Sequence, residues 1–188
     1  MRLAIFGGTF DPIHSAHVTV ARAAAEKFNL DRVLFVVAAN PPHKLTSQGA
    51  TYDDRLRMVE LAVEGEPRFE ASRLEEGTEK SYSITTIEKV LSPDHQVFFI
   101  IGSDAFADIR TWYRWQDVVK SVEFIVVTRP GHDYQPPPEA RIHELTGINL
   151  PVSSSDIREQ LTEGHLPPDL PPKVGAYIAN HNLYGYRA

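Results

Sequence analysis

Two histidines, His14 and His17, stand three residues apart and follow the glycine pair Gly7-Gly8. Because positions i and i+3 share one face of a helical turn, the two imidazoles should lie side by side. Neutral or charged, an imidazole can donate a hydrogen bond to a phosphate oxygen or serve in a metal site. The spacing predicts a pair of phosphate ligands. No third His, Cys or carboxylate follows at helical spacing to complete a metal pair.

The residues on either side of the histidines predict a strand followed by a helix. An apolar run, residues 2–7, ends in glycine, and residues 16–28 carry Val18, Ala21, Ala25 and Phe28 close to one stripe. In an open α/β sheet, ligands bind at the carboxyl edge of a strand, and a helix N-terminus favours anions. An ordinary surface turn is the alternative for the two histidines alone. Neither the dinucleotide fingerprint with three spaced glycines nor a P-loop occurs.

The rest of the chain predicts further strands and helices. The predicted strands are 32–39, 69–74, 96–101, 123–128 and 148–152. The predicted helices are 53–64, capped by Asp53-Asp54, then a helix that residues 81–87 lead into and that runs through Glu88, Val90 and Leu91, then 157–161 and 173–180. Residues 133–138, which include three prolines, predict an exposed loop.

Composition limits the class of protein. The 188 residues are 42% hydrophobic, which is enough for one domain with a core. Because there is no cysteine, disulfides, a thiolate nucleophile and Cys-ligated zinc or iron–sulfur sites are excluded. A formal net charge of −6 argues against non-specific binding to nucleic acid, which needs a basic face.

We expect a cytoplasmic protein without a membrane span. Met1-Arg2 runs directly into the first predicted strand, which leaves no room for a secretory leader. No apolar run approaches the length of a membrane-spanning helix. The sequence leaves the oligomeric state open, a homo-oligomer included.

An anionic ligand must be met by a local cluster of cations in this acidic chain. The candidates are His14, His17, His43, Lys44, Arg55, Arg57, Arg129 and Arg158. Pro41 and Pro42 forbid regular structure at the end of the second predicted strand, so His43 and Lys44 should sit on a stiff loop at the same sheet edge as His14. A solvated proline-rich loop is the alternative.

Three hydroxyls, Ser153, Ser154 and Ser155, open the predicted helix that carries Arg158 one turn later. Hydroxyls, free backbone N–H groups and a fixed positive charge together predict a second anion site. The alternative is an ordinary serine N-cap with a solvated arginine, which accounts for one serine and not for three.

Asp104 follows the strand predicted over 96–101, where a carboxylate can accept hydrogen bonds from a ribose diol or can cap a helix. Trp112 and Trp115 lie in a polar stretch that has neither strand nor helix period. Such a stretch lacks the apolar face of a core segment. It favours a planar surface on which an aromatic ring could stack.

Residues 7–17, Gly-Gly-Thr-Phe-Asp-Pro-Ile-His-Ser-Ala-His, resemble the Gly-Gly-Thr-Phe-Asp-Pro-x-His-x-Gly-His motif of the nucleotidyltransferase superfamily, and in wording they are most similar to bacterial nicotinate mononucleotide adenylyltransferases. Ala16 replaces the family's glycine. Residues 153–158 resemble the superfamily's Ser-Ser-Thr-x-x-Arg, with Ser155 for threonine. Residues 81–86 resemble Ser-Tyr-Thr-x-Asp-Thr, with Ser83 and Thr85 as departures.

The resemblance implies an α/β fold: a Rossmann-like doubly wound, mainly parallel sheet with helices on both faces, in one nucleotidyltransferase domain, 1–188. It implies adenylyl transfer from ATP to nicotinate mononucleotide in NAD biosynthesis, with Mg²⁺ arriving with ATP and no metal ligand from the protein. Alternatives are another adenylyltransferase of the superfamily, such as one acting on phosphopantetheine, and a non-catalytic nucleotide-binding module.

The resemblance also assigns roles to residues of this chain. The catalytic residues it implies are His14, His17, Lys44 and Arg158. The ATP-binding residues it implies are Gly7, Gly8, Thr9, Phe10, His14, His17, Ser153, Ser154, Ser155 and Arg158. The mononucleotide-binding residues it implies are His43, Lys44, Thr85, Thr86, Asp104, Trp112, Tyr113 and Arg129.

Overall fold

Six strands form one parallel sheet in the computed structural model, which describes residues 1–40, 49–128, 131 and 133–187. The strands are β1 (Arg2–Gly8), β2 (Arg32–Val37), β3 (Phe69–Ser72), β4 (Gln96–Gly102), β5 (Glu123–Val127) and β6 (Arg141–Leu145). Their order across the sheet is β3-β2-β1-β4-β5-β6, and every neighbouring pair is parallel.

Helices connect the strands. They are α1 (Ser15–Lys27), α2 (Tyr52–Val63), α3 (Ser83–Val90), α4 (Ser103–Ala107), α5 (Trp115–Ser121), α6 (Ser154–Thr162) and α7 (Pro172–His181), with short 3-10 turns at Ile109–Thr111 and Leu183–Gly185. No helix in the described part of the chain is long and apolar enough to cross a membrane.

Helices pack on both faces of the sheet because successive strand residues point to opposite faces. In β1, Ala4 joins the core formed with α1, α2, α6 and α7, whereas Leu3 and Ile5 join the core formed with α3, α4 and α5. The central strands are buried on both sides, which is why they consist of uninterrupted apolar runs. The predicted doubly wound α/β fold is therefore confirmed.

The strand order reverses between β1 and β4. In open α/β sheets, ligands bind at this switch point, outside the carboxyl ends of the strands. Here these ends are Gly8 of β1 and Gly102 of β4. Residues 9–14, which connect β1 to α1 and are called the histidine loop below, therefore lie at the same edge of the crevice as Asp104, which follows β4.

The strand predicted over 148–152 is wrong, and the sixth strand is β6. As an edge strand, β6 is only partly buried and carries Arg141, His143 and Glu144, so it lacks an apolar run. The chain after it includes Pro151, which cannot donate a ladder hydrogen bond.

Two further local predictions are corrected. The N-cap of α2 is Thr51, whose hydroxyl accepts the N–H of Asp54, rather than the predicted acidic pair. Trp115, which was placed in a stretch without helix period, begins α5, where Val118 and Val119 are buried. With 7 residues, α5 is too short to show a helical period in the sequence.

Candidate active site

The two predicted histidines lie together at the N-terminus of α1. His14 is the N-cap and is 4% exposed, and its ring stacks on that of His17 with 3.8 Å between centroids. The backbone N–H of His14 donates to Nδ1 of His17 at 3.2 Å. Because Nδ1 accepts, a neutral His17 carries its proton on Nε2. His17 is thus prepared to donate a hydrogen bond from Nε2.

The ring of Phe10 occupies the space that a side chain at Gly8, at the end of β1, would need. Phe10 has a φ of 49°, and a Cβ at Gly8 would meet three atoms of its ring at 3.0–3.2 Å. A Cβ at Gly7 would meet only Phe99, at 3.8 Å, which is an ordinary contact. Gly8 therefore makes room for a ring of this chain. That ring in turn packs edge-on against His17, with 5.1 Å between centroids.

Asp11 connects the histidine loop to three other parts of the chain. It is 5% exposed, and its Oδ1 accepts from the N–H of Ala50 at 3.0 Å and from the hydroxyl of Tyr184 at 2.6 Å. Its backbone carbonyl accepts from Nη1 of Arg158 at 2.7 Å. A buried carboxylate needs such partners, because an unpaired one would be expensive to desolvate.

The serine run reaches the same loop from α6. Ser153 is the N-cap, and its Oγ accepts the N–H of Asp156 at 3.1 Å. Ser154 donates to the carbonyl of Pro12 at 2.9 Å, and Ser155 accepts from Nη2 of Arg158 at 3.2 Å. One serine is therefore an ordinary cap. Ser154 connects α6 to the histidine loop, and Ser155 contacts Arg158 of the same helix, which also donates to this loop. The N-termini of α1 and α6 therefore converge there.

Arg55 is fully buried, which the sequence analysis did not anticipate. Its Nη1 donates to the carbonyl of Thr9 at 2.7 Å and to that of Ala38 at 2.8 Å, at the ends of β1 and β2. Burial lowers the pKa of Arg55, and the nearby Asp11 charge opposes that shift. Arg55 therefore contacts backbone carbonyls at the edge of the site. Arg57 is exposed and pairs with Glu60 at 2.9 Å.

Aromatic rings join the N-terminus of α3 to the segment before α5. Tyr82 is the N-cap of α3, and its ring lies 4.5 Å from that of Tyr113, which is 56% exposed. The edge of Trp112 packs on Phe99, with 5.9 Å between centroids. Trp112 is thus half-buried against the core, and the expectation that its segment lacks apolar neighbours is wrong. Tyr113 thus adjoins the α3 turn, where Thr85 is exposed.

Thr86 and Asp104 differ in accessibility. Thr86 is 2% exposed, and its hydroxyl donates to Oε1 of Glu75 at 2.6 Å, so this hydroxyl forms a hydrogen bond within the protein core. Asp104 is exposed in the first turn of α4, whose N-cap is Gly102. The alternative that Asp104 caps this helix is therefore wrong. The predicted ligands His43, Lys44 and Arg129 lie outside the described residues.

The loop predicted to be exposed, 133–138, is anchored. Tyr134 packs against Phe106 and donates to Glu144 Oε1 at 2.9 Å, and Arg110 donates to the carbonyl of Gln135 at 3.0 Å.

Across the described ranges, no group of three or more His, Cys, Asp or Glu is placed to hold a metal ion.

The sequence did not indicate Asp11 or Tyr184 as parts of the site, and it indicated Arg55 as a candidate cation without its burial. Tyr184 stands 173 residues from its partner Asp11, so no local spacing could connect them. The one signal for Arg55 is a charged residue on the apolar side of α2, on the same face as Met58 and Val59. A cation at such a position predicts a buried partner.

A parallel sheet in Rossmann order, with two helix N-termini and basic side chains at its switch point, defines a nucleotide-binding protein. Comparison with known families agrees with this class. A model of the family described as cytidylyltransferase-like matches residues 5–160, and the chain belongs to this family.

Proteins similar to this chain in sequence or in structure carry names that specify one activity. A Solibacter usitatus protein named "Probable nicotinate-nucleotide adenylyltransferase" is 56% identical over 98% of this chain and 100% of its own length. A Thermus thermophilus protein of the same name is 40% identical over 98% and 100%. Among solved structures, a Plasmodium falciparum nicotinic acid mononucleotide adenylyltransferase complexed with NaAD aligns with TM-score 0.83 over 99% of this chain and 98% of its own, at 22% identity.

Proposed function

We propose that the chain transfers the adenylyl group of ATP to nicotinate mononucleotide, giving nicotinate adenine dinucleotide and pyrophosphate, a step of NAD biosynthesis. The observation that carries the proposal is the convergence of the α1 and α6 N-termini on residues 11–14 at the switch point of the sheet. Full-length relatives named for this activity support it.

The proposed reaction is an in-line attack by a phosphate oxygen of the mononucleotide on the α-phosphorus of ATP. A bond forms between that oxygen and the α-phosphorus, and the bond from the α-phosphorus to the bridging oxygen breaks, releasing pyrophosphate. No nucleophile from the protein is required, because such transfers depend on positioning and charge stabilisation.

His14, His17, Lys44 and Arg158 are the proposed catalytic residues. The hydrogen bond that keeps His17 Nδ1 as an acceptor makes Nε2–H the donor of the neutral ring, and this is the group proposed to bind a phosphate oxygen. Arg158, held between Asp11 and Ser155, supplies a fixed positive charge. Donors that are in place before the reaction stabilise the developing charge without reorganisation.

The N-terminal turn of α3 is the proposed subsite for the pyridine carboxylate. No side chain of the described residues caps this helix, and the first N–H groups of a helix have no intrahelical partner. They favour a carboxylate, and the helix terminus adds about 0.3–1 kcal/mol for a negative charge at an exposed site. Trp112 would stack on either pyridine, so it should not discriminate between them.

Mg²⁺ belongs to the proposal as a companion of ATP. Magnesium keeps several waters and usually binds substrate phosphates with few protein ligands, so the proposal requires no metal ligand from the protein. A cytoplasmic location, a single domain over 1–188 and the lack of a nucleic-acid partner also remain predictions from the sequence, which leaves the oligomeric state open.

The test measures pyrophosphate release from ATP with nicotinate mononucleotide, its amide and phosphopantetheine as acceptors. We expect kcat/KM for the acid to exceed that for the amide at least tenfold. An amide would lose the charge interaction and leave hydrogen-bonding groups unpaired, at about 1–3 kcal/mol, and about 1.4 kcal/mol is one decade. Equal values would contradict the α3 assignment, and faster reaction with phosphopantetheine would contradict the proposed acceptor. ATP binding without release would indicate a non-catalytic module.

A further inference from the structure

Tyr184, four residues from the end of the chain, contacts the histidine loop directly. Its hydroxyl donates to Asp11 Oδ1 at 2.6 Å, and the two residues are 7% and 5% exposed. Burial and the neighbouring Asp11 charge raise the pKa of Tyr184, so the phenol remains a donor at physiological pH.

The backbone that presents Tyr184 adopts an uncommon conformation. Asn182 and Tyr184 have φ of 49° and 56°, in the left-handed region that bulky residues rarely adopt. Such a conformation persists only where the surroundings hold it. Here the ring is part of the core shared with α1, α6 and α7, and the hydroxyl of Thr162 lies 3.3 Å from the carbonyl of Tyr184 and 2.9 Å from that of Arg158.

Asp11 connects Tyr184 to Ala50 and to Arg158. Its Oδ1 also accepts the N–H of Ala50, and its backbone carbonyl accepts from Arg158. The orientation of the Asp11 side chain therefore affects the start of α2, the position of Arg158 and the turn that leads to His14. Tyr184 is the one side-chain donor to this carboxylate among the described residues.

We propose that Tyr184 is a positioning residue for adenylyl transfer, which acts through Asp11 on the turn that carries His14 and His17. The inference rests on the proposed function, because it assigns Tyr184 to the ATP side of the same site. A hydroxyl that fixes a buried carboxylate fixes the loop around it, and small displacements of catalytic groups cost large factors in rate.

The test is Tyr184→Phe, which removes one hydroxyl and keeps the buried ring. The chain offers a matched control in Tyr177→Phe. Tyr177 also lies in the C-terminal segment and donates to an aspartate, Asp54 Oδ1, at 2.9 Å, but within the described part of the chain it makes no hydrogen bond to residues 9–14. Thermal unfolding is measured for both variants, so that activity is compared in folded protein.

For Tyr184→Phe we expect kcat/KM for ATP to fall about tenfold, equivalent to about 1.4 kcal/mol, while KM for nicotinate mononucleotide changes less than about twofold. Tyr177→Phe should keep both parameters within about twofold. If both variants lose activity in proportion to their loss of stability, the role of Tyr184 is structural only and the proposal is overturned.

A double-mutant cycle with His17→Ala tests whether the two residues act through the same turn. If Tyr184 positions His17, the tenfold effect of Tyr184→Phe should shrink to about threefold or less once His17 is absent. An undiminished effect in the His17→Ala background would show that Tyr184 acts elsewhere.

Calorimetric titration with ATP and Mg²⁺, in the absence of any acceptor, separates this inference from the proposed function. We expect Tyr184→Phe to raise the Kd for ATP at least threefold and Tyr177→Phe to leave it unchanged. If the wild type binds ATP but releases no pyrophosphate with any acceptor, the proposed function fails, and the ATP titration still decides on Tyr184. Equal Kd values for wild type and Tyr184→Phe would overturn the proposal.

Discussion

Replacing His17 by alanine should slow pyrophosphate release by a factor of about 10²–10³. The factor follows from the geometry at Nε2, because His17 Nδ1 accepts the His14 N–H at 3.2 Å and so leaves Nε2 as the donor. Loss of one preorganised donor to a transition-state oxyanion typically costs about 2.7–4 kcal/mol.

The same substitution has a separate cost in folding stability. The hydrogen bond from His14 is worth about 0.5–1.5 kcal/mol, and the edge-on contact with Phe10, at 5.1 Å, adds about 0.5–1.5 kcal/mol. Their sum, about 1–3 kcal/mol, is smaller than the 5–15 kcal/mol stability that is usual for a domain. His17→Ala should therefore remain folded.

His17→Asn is the matched control, because it separates the two costs. Its amide oxygen can accept the His14 N–H in place of Nδ1, but the side chain ends short of the position of Nε2. We expect the free energy of unfolding in urea to recover, while pyrophosphate release stays at least about 10²-fold below wild type. If His17→Ala stays within a few fold of wild type, or if asparagine restores the rate together with the stability, then His17 only supports the loop.

Two further outcomes are expected. Ala16→Gly should hold or raise turnover, since it restores the family's residue, while it costs about 1 kcal/mol within the helix; a clear loss of turnover at unchanged folded fraction would show that the site depends on alanine. Burial and the hydrogen bond to Glu144 raise the pKa of Tyr134 to about 12, so the stabilisation it provides should be complete below about pH 10 and lost as the pH rises towards 12. Urea unfolding of wild type and Tyr134→Phe checks this, and a constant difference between them from pH 8 to 12 would contradict it.

Local patterns predicted much of the fold and the histidine site. β1, β2, β4 and β5 are apolar runs because both faces of the sheet are covered. The spacing of His14 and His17 predicted two adjacent rings, and the structure stacks them. These features depend on residues close in sequence or on burial alone.

Features that depend on distant residues were not predicted. β6 is recognisable as a strand only from its pairing with β5, because its exposed side leaves it polar. The sequence indicated Arg55 as a candidate ligand for an anion, and its burial follows from carbonyls of Thr9 and Ala38 that lie 46 and 17 residues away. The Asp11 and Tyr184 contact spans nearly the whole chain.

Three long-range contacts of the site share one physical property: each places a donor on a carbonyl oxygen of residues 9–12. Arg55 donates to Thr9 O, Arg158 to Asp11 O, and Ser154 to Pro12 O. Carbonyl oxygens carry partial negative charge and would repel a phosphate that approaches them. Pairing each of them with a guanidinium or a hydroxyl reduces that repulsion, and in a site of low dielectric the effect is larger than in water. A fully buried arginine can therefore favour anion binding without touching the anion, since the carbonyl it pairs with would otherwise oppose binding.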